Sequence, residues 1–215
     1  MTRKPIVTRF HLFGLVVLLV VMGTAFVKIP AGHDFPVHWD YYGKPDQFWA
    51  RIPALLTFPI IGIVLTALFA LIGRLAPVNR VEPGRHMSEA LLTGLLGLLC
   101  ALEFSLLMIG VGTDLDPIRA ICFAVAAFLA ILGAVLPRSE RNSINGLRLP
   151  WTPTNPANWR ASHWVTGILF AIGGIGLGLV AFFEPAPTVM LIVLGAAILL
   201  PIVLGASFTF VRSKL

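Results

Sequence analysis

Charged residues are scarce in this sequence, and their scarcity indicates which solvent most of the chain meets. Asp, Glu, Lys and Arg together make up 12% of the residues, about half of the roughly 25% found in ordinary soluble domains. Hydrophobic residues reach 57%. An ordinary soluble domain is therefore excluded, and the composition predicts a membrane protein.

Acidic residues and cysteines are also few. The chain has 10 acidic residues against 16 Lys and Arg, which gives a net charge of +6. The basic residues form no dense run of the kind that binds nucleic acid, so the excess positive charge favours contact with anionic lipid headgroups. The spacing of Cys100 and Cys122 indicates neither a redox pair nor a metal site, and no cofactor is predicted.

Six apolar runs are each long enough for a helix of about 20 residues to cross a bilayer. Backbone groups in lipid must be hydrogen-bonded internally, so each run is predicted to be a helix and the fold class all-α, a polytopic six-helix bundle. Pro59 and Pro201 are expected to kink two helices without ending them. The runs cover residues 10 to 29, 53 to 76, 90 to 112, 118 to 136, 162 to 183 and 188 to 211.

The distribution of Lys and Arg predicts the orientation of the bundle. If six helices alternate in direction, most of the basic residues fall on the side that holds both termini. Basic residues near helix ends favour the cytoplasm, so both termini are predicted to be cytoplasmic. The opposite side carries Lys28, Lys44, Arg51 and Arg119.

The loop at residues 30 to 52, predicted to be extracytoplasmic, differs from the apolar runs around it. Its prolines and Gly43 favour turns and extended chain over helix. Its Trp and Tyr residues suit a layer at the level of the headgroups, and the alternative is an ordered surface that binds a ligand. A metal site at His38 is the less favoured interpretation, because no spacing matches a known set of ligands.

This loop also resembles a short motif, Pro-x-His-aromatic-Asn/Asp-x-x-Gly-x-x-Asp, of a small bacterial membrane domain of unknown function. That domain is commonly the N-terminal half of SdpI-like proteins, where the motif likewise follows the first helix. The resemblance makes the motif residues and a nearby tryptophan candidates for ligand binding. They are Pro36, His38, Trp39, Asp40, Gly43, Asp46 and Trp49.

A second loop, RNSINGLRLPWTPTNPANWRASHW, is similar to a motif of the SdpI family. The family pattern has Asn, then Gly-Ile-Arg-x-Pro-Trp-Thr, then Asn-x-x-x-Trp and His-x-x-x-Gly; Leu147 here replaces the usual Ile. The loop, residues 137 to 161, is predicted to be cytoplasmic. Its candidate partner-binding residues are Asn142, Gly146, Arg148, Pro150, Trp151, Trp159, Arg160 and His163.

The residues of the second loop also predict local structure without the family. Asn155 and Pro156 suit the N-cap and first position of a helix, so the fifth helix should begin in the interface. Trp159 and His163 then share one helix face. Two interpretations stay open: a belt of tryptophans at the headgroups, or a docking pocket formed by Arg148, Trp159, Arg160 and His163.

Two features inside the predicted spans stand out. Glu103 is an acidic residue deep in the third span, where an ionised group costs roughly 3 kcal/mol, so it should face protein or water. It is either a partner in an interhelical hydrogen bond or an intramembrane site for proton coupling. Gly174 and Gly178 form a small-xxx-small pair, which predicts close helix packing.

The resemblance implies a non-enzymatic protein of the bacterial plasma membrane, an immunity or signal receptor towards a secreted peptide toxin. It implies that the first loop meets the peptide and the second a cytoplasmic repressor. It also divides the chain into an N-terminal two-helix unit, residues 1–89, and an SdpI-like four-helix unit, residues 90–215. The alternative function is a small transporter or an accessory subunit of a larger membrane complex. An inverted repeat of three plus three helices is less favoured than chance similarity between the two loops.

Overall fold

The computed structural model of the protein describes residues 4–152, 155–183 and 185–214. Within these ranges, six helices are long and apolar enough to cross a membrane. The predicted all-α polytopic fold class is therefore confirmed. The helices are α1 (Arg9–Lys28), α2 (Arg51–Leu75), α3 (Arg85–Gly110), α4 (Pro117–Val135), α5 (Pro156–Phe182) and α6 (Pro187–Arg212).

Two helices begin well before their apolar runs, and polar side chains explain both early starts. Helix α5 begins at Pro156, with Asn155 Oδ1 accepting the N–H of Ala157 at 2.8 Å, as the sequence predicted. Helix α3 begins at Arg85 rather than near residue 90, and an ion pair from Arg85 to Glu89 one turn later stabilises this first turn, in which Met87 is buried. Short helical turns at Val78–Val81 and Glu82–Gly84 connect it to α2.

The loop between α1 and α2 contains an antiparallel hairpin of β1 (Asp34–Trp39) and β2 (Pro45–Ala50). The turn between the strands is held by Asp40, whose Oδ1 accepts the N–H groups of Tyr42 and Lys44 at 2.9 and 2.8 Å. Gly43 adopts a φ of +82°, a region that favours glycine. Turns and extended chain were predicted here, although their pairing into a hairpin was not.

Connections between the helices fall on two faces of the bundle. The hairpin face contains the hairpin, the end of α5 and the starts of α4 and α6, since Thr188 Oγ1 donates to the carbonyl of Tyr41 at 2.8 Å. The basic face contains the start of α1, the end of α6 and the loop before α5, and there Trp151 Nε1 donates to Thr209 Oγ1 at 3.1 Å. The basic face is the one predicted to be cytoplasmic.

Helix α3 joins two apolar clusters. Leu107 packs with Ile29 just after α1, with Phe35 of the hairpin and with Leu55 of α2. Met87 instead belongs to the cluster that α4, α5 and α6 form. Helix α3 thus contributes to both clusters, and the division of the chain near residue 90 stays a prediction.

Small residues allow α4 and α5 to approach closely, as the sequence predicted. A Cβ on Gly174 would lie 2.8 Å from the carbonyl oxygen of Ala126, and one on Gly178 would lie 3.7 Å from the Ala126 Cβ. A larger side chain at Gly174 would therefore force the helices apart. Such packing holds helices together in lipid, where burial of apolar surface gives little driving force.

The first three helices and the last three pack differently. In the first half, α3 packs against both α1 and α2. In the second half the middle helix, α5, packs against both α4 and α6, while α4 and α6 have little contact. The central helix is thus third in one half and second in the other, which argues against an inverted repeat.

Candidate functional site

The residues of the first motif largely build the hairpin. Asp40 and Gly43 form its turn, and His38 Nδ1 lies 2.6 Å from Asp46 Oδ1 on the neighbouring strand. The His38 and Asp46 side chains are about half exposed. Among the described residues, no group of three His, Cys, Asp or Glu could hold a metal ion.

The hairpin is anchored at both ends. At its tip, a Cβ on Gly43 would lie 2.6 Å from the ring of Pro187, so the turn rests directly on the first residue of α6. At its base, Phe35 is fully buried, and Arg51 Nη1 donates to the carbonyl of Ile29 at 2.5 Å. These contacts make the hairpin a fixed cover over the helix ends.

A cavity of about 410 Å³ lies beneath this cover. Its volume falls within the roughly 300–1,000 Å³ of pockets that hold small ligands. Its walls are mostly apolar side chains of α2, α3 and α4, with a few polar groups that include Gln47, Thr57 and Ser105. The motif residues that line it are Pro36, His38, Trp39 and Trp49. The structure thus brings four candidate residues of the first motif to one cavity.

The hairpin exposes several aromatic side chains. Trp49 is 45% exposed, and Phe48, Tyr41 and Tyr42 are more exposed still. Trp39 is the exception, since it packs partly against the core of α4, α5 and α6. The exposed rings are compatible with both interpretations of the sequence, a headgroup layer and a binding surface.

The second motif has a different architecture, because its central residues are buried. His163 and Trp159 are each 1% exposed, and their rings stack with centroids 4.1 Å apart. His163 Nε2 accepts the N–H of Leu147 at 3.0 Å, so Nδ1 carries the proton and donates to the carbonyl of Trp159 at 2.8 Å. Both ring nitrogens are used, which makes His163 a structural link between the loop and α5.

Glycine and asparagine complete this link. Gly146 has a φ of +105° and lies directly against the His163 ring, which leaves no space for a Cβ. Asn142 Oδ1 accepts the N–H groups of Ile144 and Asn145 at 2.8 and 2.9 Å, and so fixes the turn before Gly146. Asn145 Nδ2 donates to Ser88 Oγ of α3 at 2.6 Å, which ties the same turn to a second helix.

The remaining residues of the second motif lie towards the surface of the basic face. Pro150 is exposed and Trp151 packs edge-to-face on Phe210 of α6 at 5.0 Å. Arg148 is exposed and donates to the carbonyl of Ser143, and Arg160 is exposed in the first turn of α5. Of the four residues considered for a docking pocket, Arg148 and Arg160 alone present surface, since Trp159 and His163 are enclosed.

Glu103 faces protein, as expected from its position within a span. Its side chain is fully buried, and neither carboxyl oxygen has a hydrogen-bond partner in the described parts of the chain. It shares the buried stripe of α3 with Leu99 and Leu107. Arg119 of the neighbouring helix α4 donates to the carbonyl of Ala181. Within the described residues, Glu103 therefore does not form the interhelical hydrogen bond considered for it.

Sequence reasoning did not single out His11, which is buried in the first turn of α1. Its Nδ1 accepts the N–H of Thr8 at 2.9 Å, and its Nε2 lies 3.0 Å from the carbonyl oxygen of Glu89. His11 therefore links the start of α1 to α3. The sequence signal that could have identified this link is Thr8 at the N-cap, followed three residues later by the polar side chain of His11.

Two comparisons with known proteins found similar sequences. Residues 138–205, which include the second motif, match the model of the SdpI/YfhL protein family. The chain is also 20% identical over 179 residues to the immunity protein SdpI of Bacillus subtilis (strain 168), covering 83% of this chain and 84% of that protein. No solved structure is significantly similar. The fold defines a multi-pass membrane protein with six spans, and both sequence matches show a similarity to SdpI proteins.

Proposed function

We propose that this chain is an SdpI-type immunity protein of the bacterial plasma membrane, which binds a secreted peptide toxin on its hairpin face. The similarity to the immunity protein SdpI of Bacillus subtilis supports the class of function. The observation that carries the binding site is the cavity beneath the hairpin, because residues of the first motif form its cover.

The cavity and the hairpin surface suit different parts of a peptide. The apolar walls of Phe58, Leu106 and Ile121 would receive an apolar side chain, and burying such a group stabilises a complex by about 1.5–3 kcal/mol. All of β2 is exposed, so its free edge is available for an extended peptide backbone. His38 and Gln47 add polar groups at the margin of the cavity.

The proposed function is binding without catalysis. Ser105 lines the cavity, but its hydroxyl donates to the carbonyl of Ala101 in its own helix. His38 pairs with Asp46 and not with a nucleophile. Ser105 therefore lacks the hydrogen-bonded base that an activated serine requires.

On the basic face we propose a signalling role for the loop before α5. The links through His163 and Asn145 hold this loop rigidly on α5 and α3. Its exposed Arg141 and Arg148 would then meet an acidic surface of a cytoplasmic repressor. The buried motif residues would support this surface without touching the partner.

Growth assays test the proposed immunity. Cells lacking the gene are exposed to size-fractionated secreted peptides from cultures of the same bacterium, and the gene is restored as wild type or as S105L. We expect wild type to restore survival and S105L to fail, because the larger side chain fills the cavity. Phe183→Ala, which removes an exposed aromatic ring on the same face, is the matched control and should protect. A deletion strain no more sensitive than its parent would contradict the proposal.

Glu103 favours a second candidate function, a small transporter or a subunit of a larger complex. A buried carboxyl without a partner inside a span is the kind of group that proton-coupled transporters use. Proteoliposomes with a pH-sensitive dye test this candidate. Proton flux lost in E103Q and kept in wild type would support it, and no flux with wild type would count against it.

A further inference from the structure

An open groove of about 580 Å³ lies on the basic face, between the first turns of α5 and the last turns of α6. Its walls are apolar and include Ala161, Val165 and Phe208. The side chains of Arg160 and Arg212 also line it, one from each helix. No acidic side chain lines the groove, so its charge is uniformly positive in the described part of the chain.

The two arginines are available to a ligand. Both are exposed, and neither forms an ion pair with another described residue. Trp164 lies one turn beyond Arg160 on α5 and is 58% exposed. At a rise of about 1.5 Å per residue it sits roughly 6 Å deeper along the helix than Arg160. This order, cation first and indole ring next, is that of a headgroup region.

We propose that this groove binds one anionic phospholipid of the adjacent leaflet. The lipid phosphate lies between the guanidinium groups of Arg160 and Arg212, which suit phosphate oxygens in both charge and geometry. An acyl chain covers Val165 and Phe208. A free phosphate ion would satisfy the arginines but leave the apolar wall exposed to water, so a molecule with both parts fits better.

The site is independent of the peptide-binding function proposed for the opposite face. It lies on α5 and α6, away from the cavity. It uses Arg160 of the second motif, which is at the surface, whereas the neighbouring Trp159 is buried. A bound lipid would also bridge the ends of the two helices.

Native mass spectrometry of the full chain, released from nanodiscs of equal phosphatidylglycerol and phosphatidylcholine, tests this proposal. Wild type should retain phosphatidylglycerol preferentially. The R160Q/R212Q variant should lose that preference roughly 25-fold, since each of the two cations near an anionic surface contributes about a factor of five. The matched control, R9Q/R80Q, removes the same charge from the same face outside the groove and should keep the preference.

Two further arms separate the groove from a general charge effect. Ala161→Phe fills the groove while keeping both arginines, and it should also lose the retained lipid. An excess of glycerol phosphate should leave the lipid bound, because it cannot cover the apolar wall. Equal loss in R9Q/R80Q, retention in A161F, or displacement by glycerol phosphate would each overturn the proposal. Circular dichroism and size-exclusion profiles verify that every variant is folded.

Discussion

The two motif loops differ in what they do with their most distinctive side chains. On the hairpin face, His38 and Trp49 are exposed and help to cover a cavity. On the basic face, His163 and Trp159 are buried and fill their hydrogen-bonding capacity within the protein. The histidine and tryptophan of the first motif therefore form surface. Those of the second, together with Gly146, form a buried structural support that we call the brace. The difference between the two motifs is burial.

The largest effect is expected at Gly146 in the brace. Gly146→Val would place a branched side chain at a φ of +105° and into the His163 ring. Strain and the clash together should destabilise the fold by about 3 kcal/mol or more. Thermal unfolding in detergent measures the loss. Gly176→Ala is the control, since a Cβ there meets nothing within 4 Å; equal melting temperatures in the two variants would refute the brace.

A smaller loss is expected from Trp159→Phe. The phenyl ring can still stack on His163, but the carbonyl of Ser139 loses the indole N–H that it accepts at 2.9 Å. Leaving that buried carbonyl unpaired should cost about 1–3 kcal/mol. Trp164→Phe changes an exposed indole and should leave the unfolding temperature nearly unchanged. The prediction fails if the two substitutions cost the same.

On the hairpin face, Asp40→Ala should loosen the turn without unfolding the bundle. The substitution removes the acceptor for the N–H groups of Tyr42 and Lys44, an effect of about 1 kcal/mol on the hairpin. Hydrogen exchange at residues 41–44 should accelerate, while exchange in α3 stays slow. Asp114→Ala, at an exposed position on the same face, should change neither. Faster exchange throughout the helices would show that the hairpin supports the whole fold.

The smallest effect on stability is expected at the His38–Asp46 pair. Both side chains are about half exposed, so Asp46→Asn should change the free energy of unfolding by less than about 1 kcal/mol. Binding to the active peptide fraction should weaken all the same, because His38 lines the cavity. Calorimetry and a binding assay on one preparation separate the two effects. A stability loss comparable with that of Gly146→Val would remove the contrast between the loops.

The sequence predicted the six spans because a backbone in the bilayer must form its hydrogen bonds internally, which favours helices. Long apolar runs are also easy to recognise in a sequence. It also predicted the start of α5, since the cap formed by Asn155 and Pro156 depends on adjacent residues. Close helix packing at Gly174 followed from the spacing of small residues in the same way, whereas the identity of the partner helix, α4, came from the structure.

The site could not be predicted in the same way, because its parts are distant in sequence. The cavity is formed jointly by the hairpin, α2, α3 and α4. The residues next to His38 in the sequence do not indicate that Ser105 lines the same cavity. Likewise, the partner of His163 is the backbone N–H of Leu147, a group that every residue except proline carries and that leaves no trace in the sequence. The two motifs are distinguished by how deeply their side chains are buried, and burial is a property of the folded chain.

Hydrogen exchange of the wild-type chain in nanodiscs, with and without the active secreted peptide fraction, compares the two loops most directly. If the hairpin face binds the peptide and the basic-face motif is a brace, exchange should slow at residues 35–50. Exchange at residues 139–152 should stay unchanged, because this loop is already tied to α3 through the Asn145 side chain and to α5 through the N–H of Leu147. Slower exchange at residues 139–152 with none at the hairpin would contradict this assignment.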